Sequence, residues 1–162
     1  MITKAEDLIF NESELKKFRD ECRKSSKKVV LAQGVFDILH PGHLKFLEKS
    51  RECGDILIVG INDDIFARKK GDGRPIQNEH ERAHLLAGFK SVSCVHIFSD
   101  NVDLIRLVQP DFFIMSTAAS ETVEARAELQ QLVRKLGGQI IIFDAFSTTH
   151  STKIIEKIKI SV

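Results

Sequence analysis

The stretch that decides the fold of this chain reads Gly34-Val35-Phe36-Asp37-Ile38-Leu39-His40-Pro41-Gly42-His43. The apolar run 29–32 precedes it and predicts a buried parallel strand. Residues 44–53 follow it and predict an amphipathic helix, with Leu44, Phe46 and Leu47 on the inner face. A glycine-bearing turn between a strand and a helix predicts an anion site. The reason is that a helix N-terminus offers unpaired N–H groups and the positive end of a dipole.

Several side chains of this stretch support a phosphate site. Gly34 and Gly42 let the backbone approach a bulky ligand where any side chain would obstruct it. Pro41 suits the first turn of a helix, where its missing N–H costs nothing. His40 and His43 would add two donors beside the same anion. The two histidines could instead bind a metal, but a His-x-x-His pair without a third ligand falls short of a zinc-site pattern.

Apolar segments and helical segments alternate along the rest of the chain. Further strands are predicted over 55–61, 92–98, 112–115 and 139–143. Helices are predicted from a cap at Asn11 or Ser13 to about Lys24, and over 65–69, 79–88, 103–108, 121–136 and 153–159. This order predicts an α/β fold, a Rossmann-like doubly wound parallel sheet of about five strands with helices on both faces. Ligands of such sheets bind at the carboxyl ends of the strands, where residues 34–43 lie.

Composition excludes several classes of protein. The chain has 162 residues, a formal net charge of +1 and 43% hydrophobic residues. This size predicts a single domain over 1–162, with residues 1–27 as an N-terminal helical extension. The charge argues against a nucleic-acid binder, which carries a basic stripe, and no stretch has the length of a membrane span. Cys22, Cys53 and Cys94 form no disulfide framework, and the N-terminus lacks the apolar core of a signal peptide. We therefore expect a cytoplasmic protein that binds neither nucleic acid nor membranes.

The quoted stretch resembles the signature of a known enzyme family. It matches GxFDxxHxGH at all six fixed positions, which are Gly34, Phe36, Asp37, His40, Gly42 and His43. This pattern is similar to that of the nucleotidyltransferases that include glycerol-3-phosphate cytidylyltransferase, phosphopantetheine adenylyltransferase and the heptose-phosphate adenylyltransferases. The resemblance implies transfer of a nucleoside monophosphate from a triphosphate to a phosphorylated acceptor, with release of pyrophosphate.

Two further segments indicate one branch of that family. The Lys-Gly-x-x-Arg-Pro pattern of residues 70–75, followed by Glu81-Arg82, resembles the heptose-phosphate adenylyltransferase of bifunctional ADP-heptose synthases. Ser151 and Thr152 resemble the Ser-Thr-Thr motif that opens the last helix in relatives. The branch implies transfer of AMP from ATP to a sugar phosphate, D-glycero-D-manno-heptose 1-phosphate. Hydroxyls at a helix start can cap it while they donate to a phosphate, and a capping role alone stays open for these two.

The resemblance also implies roles for individual residues. The catalytic positions are His40, His43, Lys70 and Arg82. The nucleotide-binding positions are Gly34, Val35, Phe36, Asp37, Gly42, Lys69, Ser151 and Thr152. Asp37 could instead orient the turn by accepting from loop N–H groups. Mg²⁺ is expected with ATP, and the sequence does not identify its protein ligands. A homodimer is expected from relatives that form dimers.

Two departures from the branch keep alternatives open. Residues 115–119 read Met-Ser-Thr-Ala-Ala where the heptose branch reads Lys-Gly-Gly-Asp-Tyr, and His150 replaces a serine. One alternative is a cytidylyltransferase that acts on glycerol 3-phosphate or another polyol phosphate. Another is a nucleotide-binding homologue without catalytic activity.

Overall fold

The computed structural model describes residues 3–117, 122–146 and 151–160, and its centre is a parallel sheet of five strands. The strands are β1 (Val29–Gly34), β2 (Ile56–Asn62), β3 (Cys94–Phe98), β4 (Phe112–Ser116) and β5 (Gln139–Phe143). The helices are α1 (Glu12–Lys24), α2 (Pro41–Arg51), α3 (Asp64–Ala67), α4 (Glu79–Ala87), α5 (Asn101–Val108), α6 (Val123–Lys135) and α7 (Ser151–Ile160). Two 3-10 turns cover Ala5–Leu8 and Arg68–Lys70.

The order of the strands creates a switch point beside β1. The sheet runs β3-β2-β1-β4-β5, so the chain leaves β1 toward one edge and returns to its other side at β4. Ala32 of β1 is paired with Val59 on one side and with Ile114 on the other. A crevice opens at the carboxyl ends of strands where the order reverses in this way. The predicted fold class, a doubly wound parallel sheet, is confirmed.

Helices cover both faces of the sheet, because alternate residues of each strand point to opposite sides. Leu31 and Phe113 belong to one buried cluster, which α1, α5 and α6 cover. Ala32 and Ile114 belong to the other cluster, which α2 and α4 cover. Gly60 of β2 lets α5 come close, since a Cβ there would lie 2.6 Å from Leu104 Cδ2. Both layers of core therefore depend on the same strands.

The N-terminal helix is packed into the core. Asn11 caps α1 by accepting from the Glu14 N–H at 3.0 Å, as predicted. Leu15 and Cys22 of α1 lie in the buried cluster beneath it, and burial raises the pKa of the Cys22 thiol. Buried Arg19 donates to the Val108 carbonyl at 2.8 Å and so ties α1 to the end of α5. Residues 12–24 are thus held by apolar contacts and by a buried guanidinium.

Several predicted helix boundaries differ in detail from the observed ones. The helix after the signature begins at Pro41, and its buried residues are Gly42, Leu47 and Ser50. Leu44 is 41% exposed, because it lies outside this buried stripe, so its predicted inward position is wrong. The last helix begins at Ser151 rather than at residue 153. Glu121, predicted to start the longest helix, lies outside the described residues, and Thr122 caps α6.

A carboxylate at the amino end of β4 ties α1 and β1 to the sheet. Asp111 accepts from the Val29 N–H at 2.9 Å, from Lys28 Nζ at 3.0 Å and from Arg19 Nη2 at 3.3 Å. Burial acts to raise the pKa of this carboxyl. The hydrogen bond from Val29 and the charges of Lys28 and Arg19 outweigh burial, and the pKa lies below its ordinary value.

Asp111→Asn is expected to remove an acid-sensitive part of the stability. A carboxyl whose pKa is lower in the folded chain stabilises it above the ordinary pKa, and this contribution is lost as the pH falls through the folded pKa. We expect the variant to lose about 1–3 kcal/mol of unfolding free energy at pH 7. Urea titrations at pH 7 and at about pH 3 should show the difference shrinking in acid.

The matched control for this experiment is Asp72→Asn, at an exposed loop position. It should leave stability unchanged at both pH values. An Asp111→Asn difference that stayed constant down to pH 3 would show that the carboxylate charge is not what stabilises this junction.

Candidate active site

A cavity of about 480 Å³ opens at the carboxyl ends of β1 and β4. This volume is in the range of pockets that bind small organic ligands. Its walls come from the segment after β1, the end of β2 with α3, residues 70 and 74, the end of β4, and residues around the start of α7. The lining residues are Gln33, Gly34, Val35, Phe36, Asp37, His40, Gly42, His43, Phe46, Asn62, Phe66, Ala67, Lys70, Arg74, Phe113, Ile114, Met115, Ser116, Ala145, Phe146, Ser151 and Thr152.

The turn after β1 is tight and is anchored by an aromatic ring. Phe36 and Ile38 both have a φ of 53°, which non-glycine residues adopt at a steric cost. Phe36 is nevertheless buried, and its ring lies edge-on to the His43 ring with centroids 5.4 Å apart. A Cβ on Gly34 would lie 3.2 Å from the Phe36 ring, so a larger residue there would displace it. The core contact of Phe36 therefore fixes the turn and the histidine beside it.

The two histidines lie side by side at the start of α2. His40 is the N-cap, and its Nδ1 accepts from the Gly42 N–H at 3.1 Å. Because Nδ1 accepts, the ring proton is on Nε2, which makes the other ring nitrogen a donor. The His40 and His43 rings stack with centroids 3.9 Å apart and an interplanar angle of 30°. Both rings line the cavity at a helix N-terminus, as the sequence predicted for a phosphate site.

Asp37 organises the loop on the opposite wall. Its side chain is 4% exposed, and it accepts from the N–H groups of Ile76 and Gln77 at 3.1 Å. It also accepts from Arg74 Nη1 at 2.6 Å. Asp37 was predicted to bind nucleotide or, alternatively, to orient the turn through loop N–H groups. The geometry corresponds to the second of these, although the residue also lines the cavity.

The two neighbouring lysines have different surroundings. Lys70 lines the cavity, in the position expected for a cation that faces phosphate groups. Lys69 is not among the lining residues, and its Nζ lies over the Phe66 ring, 5.1 Å from the centroid. A cation–π contact of this kind holds the amine by the face of the ring. The structure therefore brings Lys70 to the predicted site and leaves Lys69 outside it.

Arg82 does not reach the cavity, and this corrects its predicted contact with a triphosphate. The side chain is 0% exposed. Its guanidinium donates to the carbonyls of Gln77, Val35 and Asn62 at 3.0, 2.6 and 3.0 Å, and to Asp64 Oδ1 at 2.7 Å. Four of the five donors of an arginine are thus satisfied by protein acceptors. Arg82 is a positioning residue, because it joins the turn after β1 to the end of β2.

The residues at the start of α7 line the cavity together with Arg74. Arg74 Nη2 donates to Ser151 Oγ at 3.1 Å and to Thr152 Oγ1 at 3.4 Å. Ser151 and Thr152 thus lie where the resemblance placed them, and their hydroxyls meet a guanidinium. His150, the second departure from the heptose branch, lies outside the described residues.

The sequence analysis missed several cavity residues. Arg74 is the charged residue among them. The Arg-Pro pair in the segment that resembles the heptose branch could have indicated that Arg74 belongs to the site. Gln33 and Asn62 also line the cavity, and each is a polar residue at the carboxyl end of an apolar strand, which is a usable signal. Residues 115–119 are the segment in which the sequence differs from the heptose branch, and of these Met115 and Ser116 line the cavity. Residues 118 and 119 lie outside the described residues.

Within the described residues, no three His, Cys, Asp or Glu side chains are grouped as metal ligands. Of the described residues that line the cavity, Asp37 is the one with a carboxylate, and its oxygens are engaged by the loop. The described part of the walls therefore holds no cluster of acidic side chains for Mg²⁺. Mg²⁺ commonly binds through substrate phosphates and water with only one or two protein ligands.

In the part of the chain that the structure describes, no helix is both long enough and apolar enough to span a membrane.

Comparisons with known proteins identify the family of this chain. A family model described as Cytidylyltransferase-like matches residues 31–157. The bifunctional protein HldE of Desulfatibacillum aliphaticivorans is 38% identical over 149 residues, which are 90% of this chain and 30% of that protein. The bifunctional protein HldE of Campylobacter jejuni subsp. doylei is 39% identical over 141 residues, 85% of this chain and 29% of that one. The chain thus spans about 30% of the length of these curated relatives.

A solved structure shares both the fold and part of the sequence. It is the lipopolysaccharide core biosynthesis protein from Thermoplasma volcanium GSS1, with a TM-score of 0.64 and 32% identity. The similarity covers 76% of this chain and 99% of the other. The cavity, the turn after β1 and α2 all fall within the residues that the family model matches.

Proposed function

This chain belongs to the cytidylyltransferase-like family of nucleotidyltransferases, and on that premise we propose that it transfers AMP from ATP to a sugar phosphate, with release of pyrophosphate. The proposed acceptor is D-glycero-D-manno-heptose 1-phosphate. The observation that carries the proposal is the stacked pair of His40 and His43 at the N-terminus of α2, inside a cavity of ligand size. Donors at such a place are suited to phosphate groups whose charge rises during a reaction.

The proposed reaction needs no nucleophile from the protein. An oxygen of the acceptor phosphate attacks the α-phosphorus in line, and the bond from that phosphorus to the bridging oxygen breaks. The bond pair leaves with pyrophosphate. Rate enhancement then comes from positioning and from stabilising the charge that moves to the leaving group.

The polar residues of the cavity that the resemblance named have a place in this reaction. His40 and His43 donate to oxygens of the α- and β-phosphates, where negative charge develops. Lys70 offsets the charge of the β- and γ-phosphates, and Ser151 and Thr152 hold the far end of the triphosphate. The glycines of the turn let the backbone come close to it. Mg²⁺, bound through the phosphates of ATP, would supply further charge neutralisation.

The identity of the acceptor rests on sequence similarity. The Lys-Gly-x-x-Arg-Pro segment resembles heptose-phosphate adenylyltransferases, and proteins named HldE match most of this chain. The similar solved structure is named as a protein of lipopolysaccharide core biosynthesis. These relatives favour a sugar phosphate over a nucleic acid or a lipid as acceptor.

The main alternative is a cytidylyltransferase for glycerol 3-phosphate or another polyol phosphate. Met115 and Ser116 support keeping it, because they line the cavity at the point where the sequence leaves the heptose branch. The same observation supports a nucleotide-binding homologue without turnover. Both alternatives are consistent with membership of the family and with a phosphate site in the cavity.

Pyrophosphate release distinguishes these functions. The purified chain is incubated with Mg²⁺ and with ATP, CTP or GTP, each crossed with heptose 1-phosphate, glycerol 3-phosphate, ribitol 5-phosphate and phosphopantetheine. We expect release with ATP and heptose 1-phosphate, and the His43→Ala chain, prepared in parallel, reports any contaminating activity. Release with CTP and a polyol phosphate would replace the proposed acceptor and nucleotide. Nucleotide binding without release from any pair would favour the homologue without turnover.

A further inference from the structure

Arg74 connects three parts of the cavity that are distant in sequence. Its Nη1 donates to Asp37 in the turn after β1, and its Nη2 donates to Ser151 and Thr152 in the first turn of α7. Arg74 itself belongs to the loop between α3 and α4. A single guanidinium therefore joins the turn after β1 and the start of α7 to the loop that carries Arg74.

The guanidinium is held firmly and still has donors to offer. The Arg74 side chain is 15% exposed and its partner Asp37 is 4% exposed, so the pair is largely withdrawn from water. Within the part of the chain that the structure describes, these bonds use three of the five N–H donors of Arg74. The other two donors belong to Nε and Nη1, and the Arg74 side chain lines the cavity.

We infer that Arg74 is a ligand of the β- and γ-phosphates of the bound nucleoside triphosphate, held in position by Asp37. This inference rests on the proposed function. A charged guanidinium N–H is a strong donor to a phosphate oxygen, and an arginine with a fixed orientation loses less freedom when it binds one. The hydroxyls of Ser151 and Thr152 lie against the same guanidinium, so all three groups converge on one end of the triphosphate.

The charges of the site agree with this assignment. In the absence of a ligand the carboxylate of Asp37 offsets the charge of Arg74, at a separation of 2.6 Å. A buried arginine with no such partner would be costly to keep in the folded chain. Asp37 thus keeps the cation in place before the phosphates arrive, and its remaining hydrogen bonds, from Ile76 and Gln77, fix the loop that carries Arg74.

A series of phosphate ligands tests the assignment. We would measure the affinities of AMP, ADP, ATP and inorganic tripolyphosphate for the wild-type chain, Arg74→Gln and Arg74→Lys by calorimetry. Arg74→Gln should weaken ATP and tripolyphosphate by about tenfold or more, the size expected for a charged hydrogen bond. AMP should change by less than about twofold, because it lacks the phosphates that Arg74 contacts. Arg74→Lys keeps the charge but loses the guanidinium donors, so its ATP affinity should fall between those of the wild-type chain and Arg74→Gln.

Arg68→Gln is the matched control. Arg68 is an exposed arginine six residues earlier, outside the cavity lining, and its replacement removes the same charge from the same part of the chain. It should leave all four affinities unchanged. Thermal unfolding of each variant checks that the fold persists, and Arg74→Lys carries the test if Arg74→Gln does not fold.

The outcomes separate this inference from the proposed function. Equal weakening of AMP and ATP by Arg74→Gln would show that Arg74 only holds the walls together. Unchanged ATP affinity would also overturn the assignment, and so would an equal effect of Arg68→Gln. A wild-type chain that binds tripolyphosphate but neither ATP nor CTP would contradict the proposed function itself.

Discussion

His43→Ala is expected to lower kcat by about two to three orders of magnitude, the loss found when one donor to a developing charge is removed. The His43 ring stacks on His40 and lies edge-on to Phe36, so its orientation is set before any substrate binds. The donor therefore contributes mainly as charge moves to the pyrophosphate, and KM for ATP should change much less than kcat. Steady-state pyrophosphate release gives both constants.

Two companion variants make this result interpretable. Leu44→Ala alters the next residue of α2, which is 41% exposed, and should leave kcat unchanged. His40→Asn keeps a good N-cap side chain but removes the Nε2 donor, so it separates capping from catalysis at the neighbouring histidine. A His43→Ala chain that is well folded and has near-normal turnover would contradict the role given to His43.

Arg82→Met is expected to lower the free energy of unfolding by about 3–5 kcal/mol, more than any other variant proposed here. This is the cost of removing one partner of a buried ion pair. The change leaves the carbonyls of Val35, Asn62 and Gln77 without their donor and Asp64 without its cation. A domain of this size has a total stability of about 5–15 kcal/mol, so the loss is a large part of it. Urea titration measures it directly.

Arg82→Lys and Arg68→Met complete the comparison. Lysine has one nitrogen and cannot reach acceptors on several sides, so Arg82→Lys should also destabilise. Arg68→Met changes an exposed arginine and should be neutral. If Arg82→Met kept its stability and lost only ATP affinity, the positioning role would be wrong and a direct phosphate contact would be right.

The sequence predicted the layout of the site better than the direction of its side chains. Residues 34–43 and the apolar strands around them have strong local patterns, and these predicted the turn, α2 and the order of strands and helices. Arg82 was misassigned because the carbonyls it binds become neighbours only after β1, β2 and the loop before α4 come together. Arg74 was missed for the same reason, since its partners lie 37 and 77 residues away.

Local pattern also misled at one apolar position. Leu44 follows the signature directly and was expected to be buried together with Leu47, but Leu47 is buried and Leu44 is 41% exposed. A short amphipathic pattern predicts the presence of a helix more reliably than it predicts the residue at which the helix begins. The start depends here on the cap that His40 provides.

The order of the strands determines how late in folding the cavity can form. The cavity lies between β1 and β4, whose paired residues Ala32 and Ile114 are separated along the chain by two strands and three helical crossovers. Such distant pairing costs loop entropy and forms slowly, whereas single helices form early. Since the residues that line the pocket extend from Gln33 to Thr152, no short fragment contains all of them. Binding of a ligand in the pocket would therefore indicate that the fold is complete, whereas a helical signal alone would not.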